Sequence, residues 1–340
     1  MASLWQPLPW AAARFRPEPY APGMSRLEAM IRRQPEELQR LAQLDVAAHA
    51  DRLRGCRRVV LVGTGTSQHA AELGALMLYD AGVDALACPA ATFGRGDLPL
   101  RDGDGLIVIS HTAETAYARR SRDLALRAGT PLVSITGKVG AWPEAIETVA
   151  REESETYTVS YTATLAVLAL LAGELGSTTY TRRALAATVP KVERALLREV
   201  AVPVPARALV VAGAGPWGVT AREGALKLRE AARMLAEGFD AEYLLHGSAV
   251  PLGPADVLVL LEPDADRDGL VAAIGEAAAA ERVPVSTLSL ETDLPAVLAQ
   301  IPMTVVLQRL AASWARLRAQ DPDVAIVGAW AEPTLWELGS

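Results

Sequence analysis

The sequence predicts an α/β protein of two tandem units, each a parallel β-sheet with helices packed on both faces. The first reason is an internal repeat, because residues 57–78 and 207–228 align without a gap. Each copy has an apolar β-branched strand, a Gly-x-Gly turn and a helix with small residues on one face. The second reason is that strands apolar on both faces are typical of parallel sheets, and that alternating strands and helices form βαβ units.

The length of 340 residues also favours more than one domain. We expect an N-terminal arm and helix over residues 1–50, a first unit over 51–200, a second unit over 201–310, and a C-terminal helix and tail over 311–340. Further strands are expected at residues 85–88, 105–110, 131–136, 257–261, 284–288 and 304–307. Helices are expected at residues 24–44, 116–128, 165–173, 181–198 and 270–280. Because proline disrupts a helix interior, the helix over 181–198 should be kinked or restarted at Pro190.

Composition and charge exclude several classes of protein. Hydrophobic residues make up 51% of the chain, which excludes a disordered protein. Lys and Arg number 33 against 40 Asp and Glu, and this acidic balance argues against nucleic acid as the partner. No apolar run reaches the ~18 residues of a membrane span, and the N-terminus lacks the apolar core of a signal peptide. We therefore expect a cytoplasmic protein with no membrane partner.

The Gly-x-Gly turn of the first repeat does not predict a bound cofactor. The sequence GTGTSQ at Gly63 lacks the third glycine of a dinucleotide fingerprint, and no acidic residue closes the next strand. Cys56 and Cys88 cannot build a metal cluster or a disulfide framework by themselves. His49 and His69 are expected to be structural, with His69 lining the turn. We expect no cofactor and no metal.

Hydroxyl side chains gather where strands of the first unit end. They form three clusters: Thr64, Thr66 and Ser67; Ser110, Thr112 and Thr115; and Ser154, Thr156, Thr158 and Ser160. Ligands of open parallel sheets bind at the carboxyl ends of the strands, and the free N–H groups of helix N-termini suit a phosphate. The clusters therefore indicate a phosphate site, although Ser and Thr also cap helices in any protein. His111 lies within the second cluster, where it either contacts the ligand or packs.

Three charged residues of the second unit share one helix face. Glu223, Lys227 and Glu230 are spaced i, i+4 and i+7, and His246 follows near a turn. A carboxylate, an ammonium group and an imidazole suit aldose–ketose interconversion, which needs ring opening, proton transfer between C2 and C1, and stabilisation of an enediolate. On spacing alone, a solvated Glu–Lys pair and an ordinary histidine are the simpler interpretation.

Several short motifs together resemble one known family. The strand followed by GTGTS, the strand followed by ISHTAET, and the sequences EGALKLRE and AEYLLHGS resemble the SIS (sugar isomerase) family. Within it they are similar to the isomerase half of glucosamine-6-phosphate synthase and to its stand-alone deaminase and deglycase relatives. The resemblance covers the chain from about Met24. It implies two doubly wound α/β subdomains and a homodimer whose active site is shared between subunits.

The resemblance also implies a role for each candidate residue. Glu230 matches the family's proton-transferring carboxylate, and Lys227 matches its nearby lysine. His246 matches the ring-opening histidine, which relatives take from the partner subunit. The residues that match phosphate- or sugar-binding positions are Thr66, Ser67, Ser110, His111, Thr112, Thr115 and Ser160.

The chain departs from the family pattern at several positions. Three residues of the phosphate loop stand in place of the family's Gln, Ser and Gly: His111, Thr112 and Ala113. Thr162 stands where relatives carry a lysine. Residues 321–323 match the start of the family's tail, but Trp330 lies near the place of its active-site lysine. An amine-handling role for that lysine is therefore not carried over.

We therefore expect an aldose–ketose isomerase or an amino-sugar phosphate deaminase, acting on a substrate similar to a hexosamine 6-phosphate. The sequence contains no recognisable glutamine-hydrolysing domain, which favours these activities over glutamine-dependent synthesis. Two other interpretations stay open. One is a non-catalytic sensor of sugar phosphates, and the other is a deglycase that acts on amine-linked sugar phosphates.

Overall fold

The computed structural model describes residues 23–263, 266, 268–290 and 293–338, so the first 22 residues of the expected arm lie outside it. Two parallel sheets confirm the α/β fold class. The first has the order β2-β1-β3-β4-β5 and comprises β1 (Arg58–Gly63), β2 (Ala85–Pro89), β3 (Asp104–Ile109), β4 (Leu132–Thr136) and β5 (Ala145–Glu147). The second has the order β7-β6-β8-β9 and comprises β6 (Leu209–Gly213), β7 (Ala236–Asp240), β8 (Val257–Pro263) and β9 (Val285–Leu290).

Helices connect the strands and cover the sheets. In chain order the α-helices are α1 (Arg26–Leu41), α2 (Ala47–Leu53), α3 (Thr66–Asp80), α4 (Ala90–Arg95), α5 (Ala116–Ala128), α6 (Val159–Leu175), α7 (Arg182–Ala186), α8 (Thr188–Leu197), α9 (Trp217–Ala232), α10 (Ala241–Tyr243), α11 (Leu270–Ala280), α12 (Gln300–Leu317) and α13 (Pro333–Glu337). A π-helical turn, Leu244–Ser248, follows α10, and a 3₁₀ turn, Gly328–Ala331, precedes α13.

Both faces of the first sheet are buried, as its apolar strands predict. Along β1, Val59 and Leu61 point into the core that contains α3 and α6, whereas Val60 and Val62 point into a second core under α4 and α5. A strand that alternates between two cores needs apolar residues at every position. This explains why β1 reads as a continuous apolar run.

The Gly-x-Gly turns of the repeat are shaped alike in the two units. A Cβ on Gly63 would lie 2.5 Å from the backbone of Ser67, and one on Gly213 would lie 2.6 Å from the Cβ of Trp217. The second glycine of each turn has a positive φ, +58° at Gly65 and +56° at Gly215. The first glycine therefore permits close approach of the helix, and the second permits a left-handed backbone.

The repeat extends to the long helices at the centre of the molecule. A Cβ on Gly74 of α3 would lie 2.8 Å from the side chain of Leu168 on α6, and one on Gly224 of α9 would lie 2.5 Å from that of Leu307 on α12. Thus α6 packs on α3 as α12 packs on α9. Contacts between α3 and α9 join the two units.

The structure corrects some expected elements. The strand expected at residues 304–307 is wrong, since these residues lie inside the buried helix α12. A short apolar run cannot distinguish a buried strand from a buried helix. Strands β5 and β7 were not expected, because β5 is short and β7, with the sequence AEGFD, lacks an apolar run. The helix over 181–198 is divided at Ala187, and Pro190 lies in the first turn of α8, where no N–H is needed.

The tail folds back onto the first unit. The carbonyl oxygen of Pro322 accepts hydrogen bonds from Ser154 Oγ at 3.2 Å and Thr156 Oγ1 at 2.8 Å. The Asp323 carboxylate accepts from the first free N–H groups of α1, at 3.0 Å from Arg26 and 2.8 Å from Leu27. The proposed division at residue 310 falls inside α12, which continues without a break to Leu317.

None of the described helices is both long and apolar enough to cross a membrane. Within the same part of the chain, no group of three or more His, Cys, Asp or Glu side chains is placed to hold a metal ion.

Candidate functional site

A chain of buried charged groups lies on the face of α9 that meets α3. The side chains of Glu223 and Lys227 are fully buried, and Lys227 Nζ lies 3.5 Å from Glu223 Oε1. The same ammonium group donates to Glu230 Oε2 at 2.6 Å, and the Glu230 side chain keeps 18% of its surface exposed. The pair is therefore not a solvated Glu–Lys pair. Burying charge is costly, so this arrangement depends on the ammonium group that the two carboxyl groups share.

The environment separates the two carboxyl groups by their pKa. Burial raises the pKa of Glu230 above its ordinary value, and the ion pair with Lys227 only partly offsets this. Glu223 is also penalised by burial, but Lys227, His69 and Thr66 together hold its pKa below the ordinary value. Two carboxylates raise the pKa of Lys227 in spite of its burial, so it stays charged. Glu230 is therefore the group suited to taking up and releasing a proton.

Residues of α3 complete this chain from the other unit. His69 Nδ1 lies 2.7 Å from Glu223 Oε2, and Thr66 Oγ1 donates to Glu223 Oε1 at 3.2 Å. Thr66, a candidate for phosphate binding, thus uses its hydroxyl hydrogen for a carboxylate of the other unit. Ser67 lies beside it in the first turn of α3, which has no side-chain cap.

The loop after β3 leaves hydroxyl groups available at the start of α5. Thr115 is the N-cap residue of α5, but its side chain makes no capping hydrogen bond, and it is exposed. Ser110 is buried, with its Oγ 3.5 Å from Thr115 Oγ1. Thr112 accepts a hydrogen bond from the Glu114 N–H at 3.2 Å. The helix-capping explanation therefore does not account for Thr115, and a hydroxyl at a helix N-terminus suits an anionic ligand.

His111 packs against the segment that leads into α6. Its Nε2 accepts a hydrogen bond from the Glu152 N–H at 3.1 Å, and its ring meets the edge of Tyr157 at 5.5 Å. Burial lowers the pKa of His111, so the ring is neutral at pH 7 and offers no positive charge to a phosphate. These contacts hold one side of the ring, whereas Nδ1 is buried without a hydrogen-bond partner among the described residues, so ligand contact by His111 stays a prediction.

The third hydroxyl cluster is largely occupied by protein contacts. Ser154 and Thr156 bind the tail. The Glu152 carboxylate, a buried group, accepts hydrogen bonds from the N–H groups of Thr158 at 3.0 Å and Ser160 at 2.8 Å. An acidic side chain is a favourable partner for a helix N-terminus. The hydroxyl of Ser160 is the member of this cluster that stays a candidate for ligand contact.

Thr162, at the position where the resemblance implies a lysine, belongs to a buried polar network. Its Oγ1 donates to Gln34 Oε1 at 2.8 Å, and Gln34 Nε2 donates in turn to Gln308 Oε1 at 2.8 Å. These residues join α6 to α1 and α12. A neutral network at this position leaves no cation there for substrate or phosphate.

His246 stands apart from the buried charges. It lies in the π-helical turn, with Gly247 at φ +102°, and its side chain is exposed. Within the described part of the chain, no hydrogen bond or ion pair joins His246 to another residue. Its neighbours expose apolar surface: Tyr243 is 66% exposed, Leu245 51% and Val250 84%.

Comparison with known proteins identifies the first unit. Residues 52–173 match the family model described as the SIS domain. The chain carries a SIS domain. It is 30% identical over 299 residues to a glutamine–fructose-6-phosphate aminotransferase (isomerizing) of Pyrococcus horikoshii, a match that covers 78% of this chain and 50% of that protein. The protein of the same name in Thermococcus kodakarensis is 28% identical over 310 residues, with 81% and 52% covered. The chain spans about half the length of these relatives.

Solved structures share the two-sheet fold along almost the whole chain. Tagatose-6-phosphate ketose/aldose isomerase from Escherichia coli superposes with a TM-score of 0.76 at 18% identity, covering 92% of this chain and 99% of that one. Glucosamine-6-phosphate deaminase from Thermotoga maritima gives a TM-score of 0.71 at 17% identity, covering 88% and 97%. The resemblance to the SIS family noted in the sequence is confirmed.

The SIS-domain match contains every candidate phosphate- and sugar-binding residue, whereas Lys227, Glu230 and His246 lie beyond it. The structure brings Lys227 and Glu230 into one ion pair and links them to Thr66 through Glu223. It does not join His246 to that group within one chain.

Sequence reasoning overlooked the contact between His69 and Glu223, and it treated His69 as structural. The internal repeat holds a usable signal. The repeat makes α3 and α9 equivalent helices, and the structure packs them against each other. Glu223 of α9 thereby meets Thr66 and His69 of α3.

Proposed function

We propose that this chain is a sugar-phosphate isomerase or amino-sugar phosphate deaminase that works through an enediolate. The observation that carries the proposal is the contact of Thr66 and His69 with Glu223. It joins the turn after β1, a candidate for phosphate binding, to the helix face that bears Lys227 and Glu230. An anion held by the first unit would then lie next to an acid–base group of the second unit. A substrate similar to a hexosamine 6-phosphate and a cytoplasmic location belong to the same proposal.

Glu230 is the residue proposed to transfer the proton. As a carboxylate it takes the proton from C2 of the open-chain sugar, and the electrons left behind form the enediolate. As a carboxylic acid it returns a proton to C1, while the C2 hydroxyl proton passes to O1, so that the carbonyl group moves from C1 to C2. In a 2-amino sugar the amino group replaces that hydroxyl, and water releases it as ammonia from the imine formed at C2. Its raised pKa favours the protonated form between the two steps. Lys227, which is charged and 2.6 Å from Glu230, orients that carboxylate and stabilises negative charge on the enediolate.

Isotope exchange tests this role directly. The protein is incubated in deuterated water with hexose, hexosamine and pentose phosphates, and label at C1 or C2 is measured by NMR. We expect label with the wild type and a loss of about 100-fold to 10,000-fold in exchange with Glu230→Gln, the range for removing a general base. Glu237→Gln is the matched control, because Glu237 is exposed on β7. Exchange by Glu230→Gln at the wild-type rate would remove Glu230 from this role.

The proposal includes a homodimer in which His246 of a second copy opens the sugar ring. The exposed apolar side chains of Tyr243, Leu245 and Val250 around His246 support a contact with another chain. Glu230→Gln and His246→Asn variants are mixed, unfolded and refolded together. If each site uses residues of both chains, random pairing restores about a quarter of the wild-type turnover. If the mixture stays as inactive as each variant alone, His246 does not act on a second copy's site.

A non-catalytic sensor of sugar phosphates is a second candidate. Trp330, which is 77% exposed, lies near the place where relatives carry their tail lysine, so one reactive group of the family is replaced. A sensor predicts that a sugar phosphate raises the melting temperature of the protein without any isotope exchange. Label at C1 or C2 excludes this candidate, and release of a free amine from an amine-linked sugar phosphate would indicate a deglycase.

A further inference from the structure

The imidazole of His69, on α3, contacts the buried charged groups of α9. Its Nδ1 lies 2.7 Å from Glu223 Oε2, and its side chain is 12% exposed. An ionised carboxylate only accepts hydrogen bonds, so Nδ1 carries the hydrogen and donates it. No protein partner among the described residues holds Nε2. The Nδ1–H of His69 is thus directed at a carboxylate that belongs to the other unit.

The position of Glu223 depends on three donors that surround it. They come from two helices: Thr66 and His69 from α3, and Lys227 from α9. Lys227 lies 3.5 Å from Glu223 but only 2.6 Å from Glu230. This unequal sharing keeps the ammonium group on Glu230. A fully buried carboxylate that lost the donor from His69 would have to recover the interaction elsewhere, and the Lys227 ammonium group, 3.5 Å away, is the cation within reach.

We propose that His69 is a positioning residue that, by holding Glu223, keeps Lys227 on Glu230 and so sets the state of the proton-transferring carboxylate. The effect of His69 on catalysis rests on the proposed function, in which Glu230 moves a proton. Its effect on the pairing of Lys227 with Glu230 does not. The first unit thereby tunes the acid–base group of the second. A histidine that only stabilises the packing of α3 against α9 would instead affect folding and leave the protonation of Glu230 unchanged.

Other charged groups face this cluster and must be considered in any pH dependence. Glu72 of α3 and Arg222 of α9 form an ion pair between the same two helices. Arg229 lies near Glu230 and lowers its pKa, and Glu152 acts on Lys227. The buried Tyr161 of α6 has a pKa raised well above 10 by burial, so it stays neutral. None of these groups contacts His69 by a hydrogen bond within the described residues, so a His69 substitution changes them little.

Two substitutions at His69 separate positioning from packing. His69→Leu removes the donor and keeps an apolar side chain of similar reach. His69→Asn keeps an N–H donor near the position of Nδ1 and serves as the conservative rescue. His49→Leu is the control, because His49 lies on α2 and makes no contact with the cluster. Urea unfolding of each variant measures the folded fraction, so that all rates are expressed per folded protein.

The expected result has two parts. With a sugar phosphate that the wild type exchanges, His69→Leu lowers kcat on the order of tenfold to a hundredfold, with little change in KM, and His69→Asn restores most of it. The acidic limb of the pH–rate profile moves to higher pH in His69→Leu, because Glu230 without Lys227 is harder to ionise. His49→Leu leaves both kcat and the limb unchanged. If the wild type turns over but His69→Leu keeps the wild-type limb and kcat, the proposal is overturned.

An NMR titration keeps this test independent of turnover. The carboxyl carbon of Glu230 is followed in ¹³C-labelled protein and assigned by its disappearance in Glu230→Gln. We expect its midpoint to rise in His69→Leu and to stay near the wild-type value in His69→Asn. A midpoint that rises while no sugar phosphate is turned over contradicts the proposed function and supports the role of His69. An unchanged midpoint in His69→Leu overturns that role.

Discussion

The helices α3 and α9 hold equivalent places in the repeat, yet they bury opposite kinds of side chain. At the positions where α9 carries Glu223 and Lys227, α3 carries Leu73 and Met77. All four side chains are almost entirely buried. An apolar pair at such positions avoids the free-energy cost of desolvating charges, and α3 shows that this backbone accommodates such a pair. The charged pair of α9 therefore indicates a function rather than a requirement of the fold.

In the turns before these helices, it is the first unit that carries the polar side chains. After Gly65 the first unit has Thr66 and Ser67, whereas after Gly215 the second unit has Pro216 and the buried Trp217. The second turn therefore lacks the hydroxyl groups of the first, and a large ring fills the space beside its helix. One copy of the repeat keeps groups suited to an anion, and the other keeps groups suited to proton transfer. This division explains why a candidate site needs both units.

The largest effect is expected from making α9 resemble α3 at one position. Lys227→Met leaves Glu223 and Glu230 without their shared cation, and we expect a loss of about 3–5 kcal/mol in the free energy of unfolding, as for other broken buried pairs. Urea unfolding at pH 7 measures it. The double variant with Glu223→Leu and Lys227→Met copies α3 and should recover much of the stability while remaining inactive. If Lys227→Met is as stable as the wild type, the cluster is not buried as described.

The contrast between the two helices also shows what sequence could predict. The spacing of Glu223, Lys227 and Glu230 placed them on one face, and the structure joins them in one ion-pair chain. Spacing could not predict their burial, because it depends on α6 and α12, which cover α3 and α9 from elsewhere in the chain. For the same reason a run of apolar residues in α12 was expected to be a strand. Periodicity describes an element, whereas burial depends on what packs against it.

Contacts between distant segments were likewise beyond sequence reasoning. Ser154 and Thr156 resemble a ligand-binding cluster in sequence, but they hold Pro322 of the tail. His111 lies within a hydroxyl cluster in sequence, and its Nε2 accepts a hydrogen bond from the Glu152 N–H. In each case the polar group meets a partner more than 40 residues away, which no local pattern shows. The sheets and the repeat were predictable because they depend on local patterns of apolar residues and glycines.

A second, smaller effect concerns the dependence of stability on pH. The folded pKa of Lys227 lies above its ordinary value of 10.5, so the stability it contributes is present below 10.5 and is lost as the pH rises through the folded value. The folded pKa of Glu223 lies below 4.5, so its contribution is present above 4.5 and is lost as the pH falls through the folded value. The α3-like double variant lacks both groups. Urea midpoints from neutral to strongly alkaline pH should therefore fall more steeply for the wild type than for the double variant. Parallel curves would contradict a charged Lys227 in the folded protein.

The smallest effect tests the loop after β3, which sets the hydroxyl groups of the first unit. Ala113 has φ +59°, a left-handed conformation that costs an alanine about 1–2 kcal/mol. Glycine relieves this cost, but it also makes the unfolded chain more flexible, which lowers the free energy of unfolding by about 0.4–1 kcal/mol. Ala113→Gly should therefore stabilise the protein by up to about 1.6 kcal/mol, measured as a rise in melting temperature. Ala118→Gly, inside α5, is the matched control and should destabilise by about 1 kcal/mol or more. If both substitutions destabilise equally, Ala113 does not adopt the left-handed conformation, and the loop that presents Ser110 and Thr115 has a different shape.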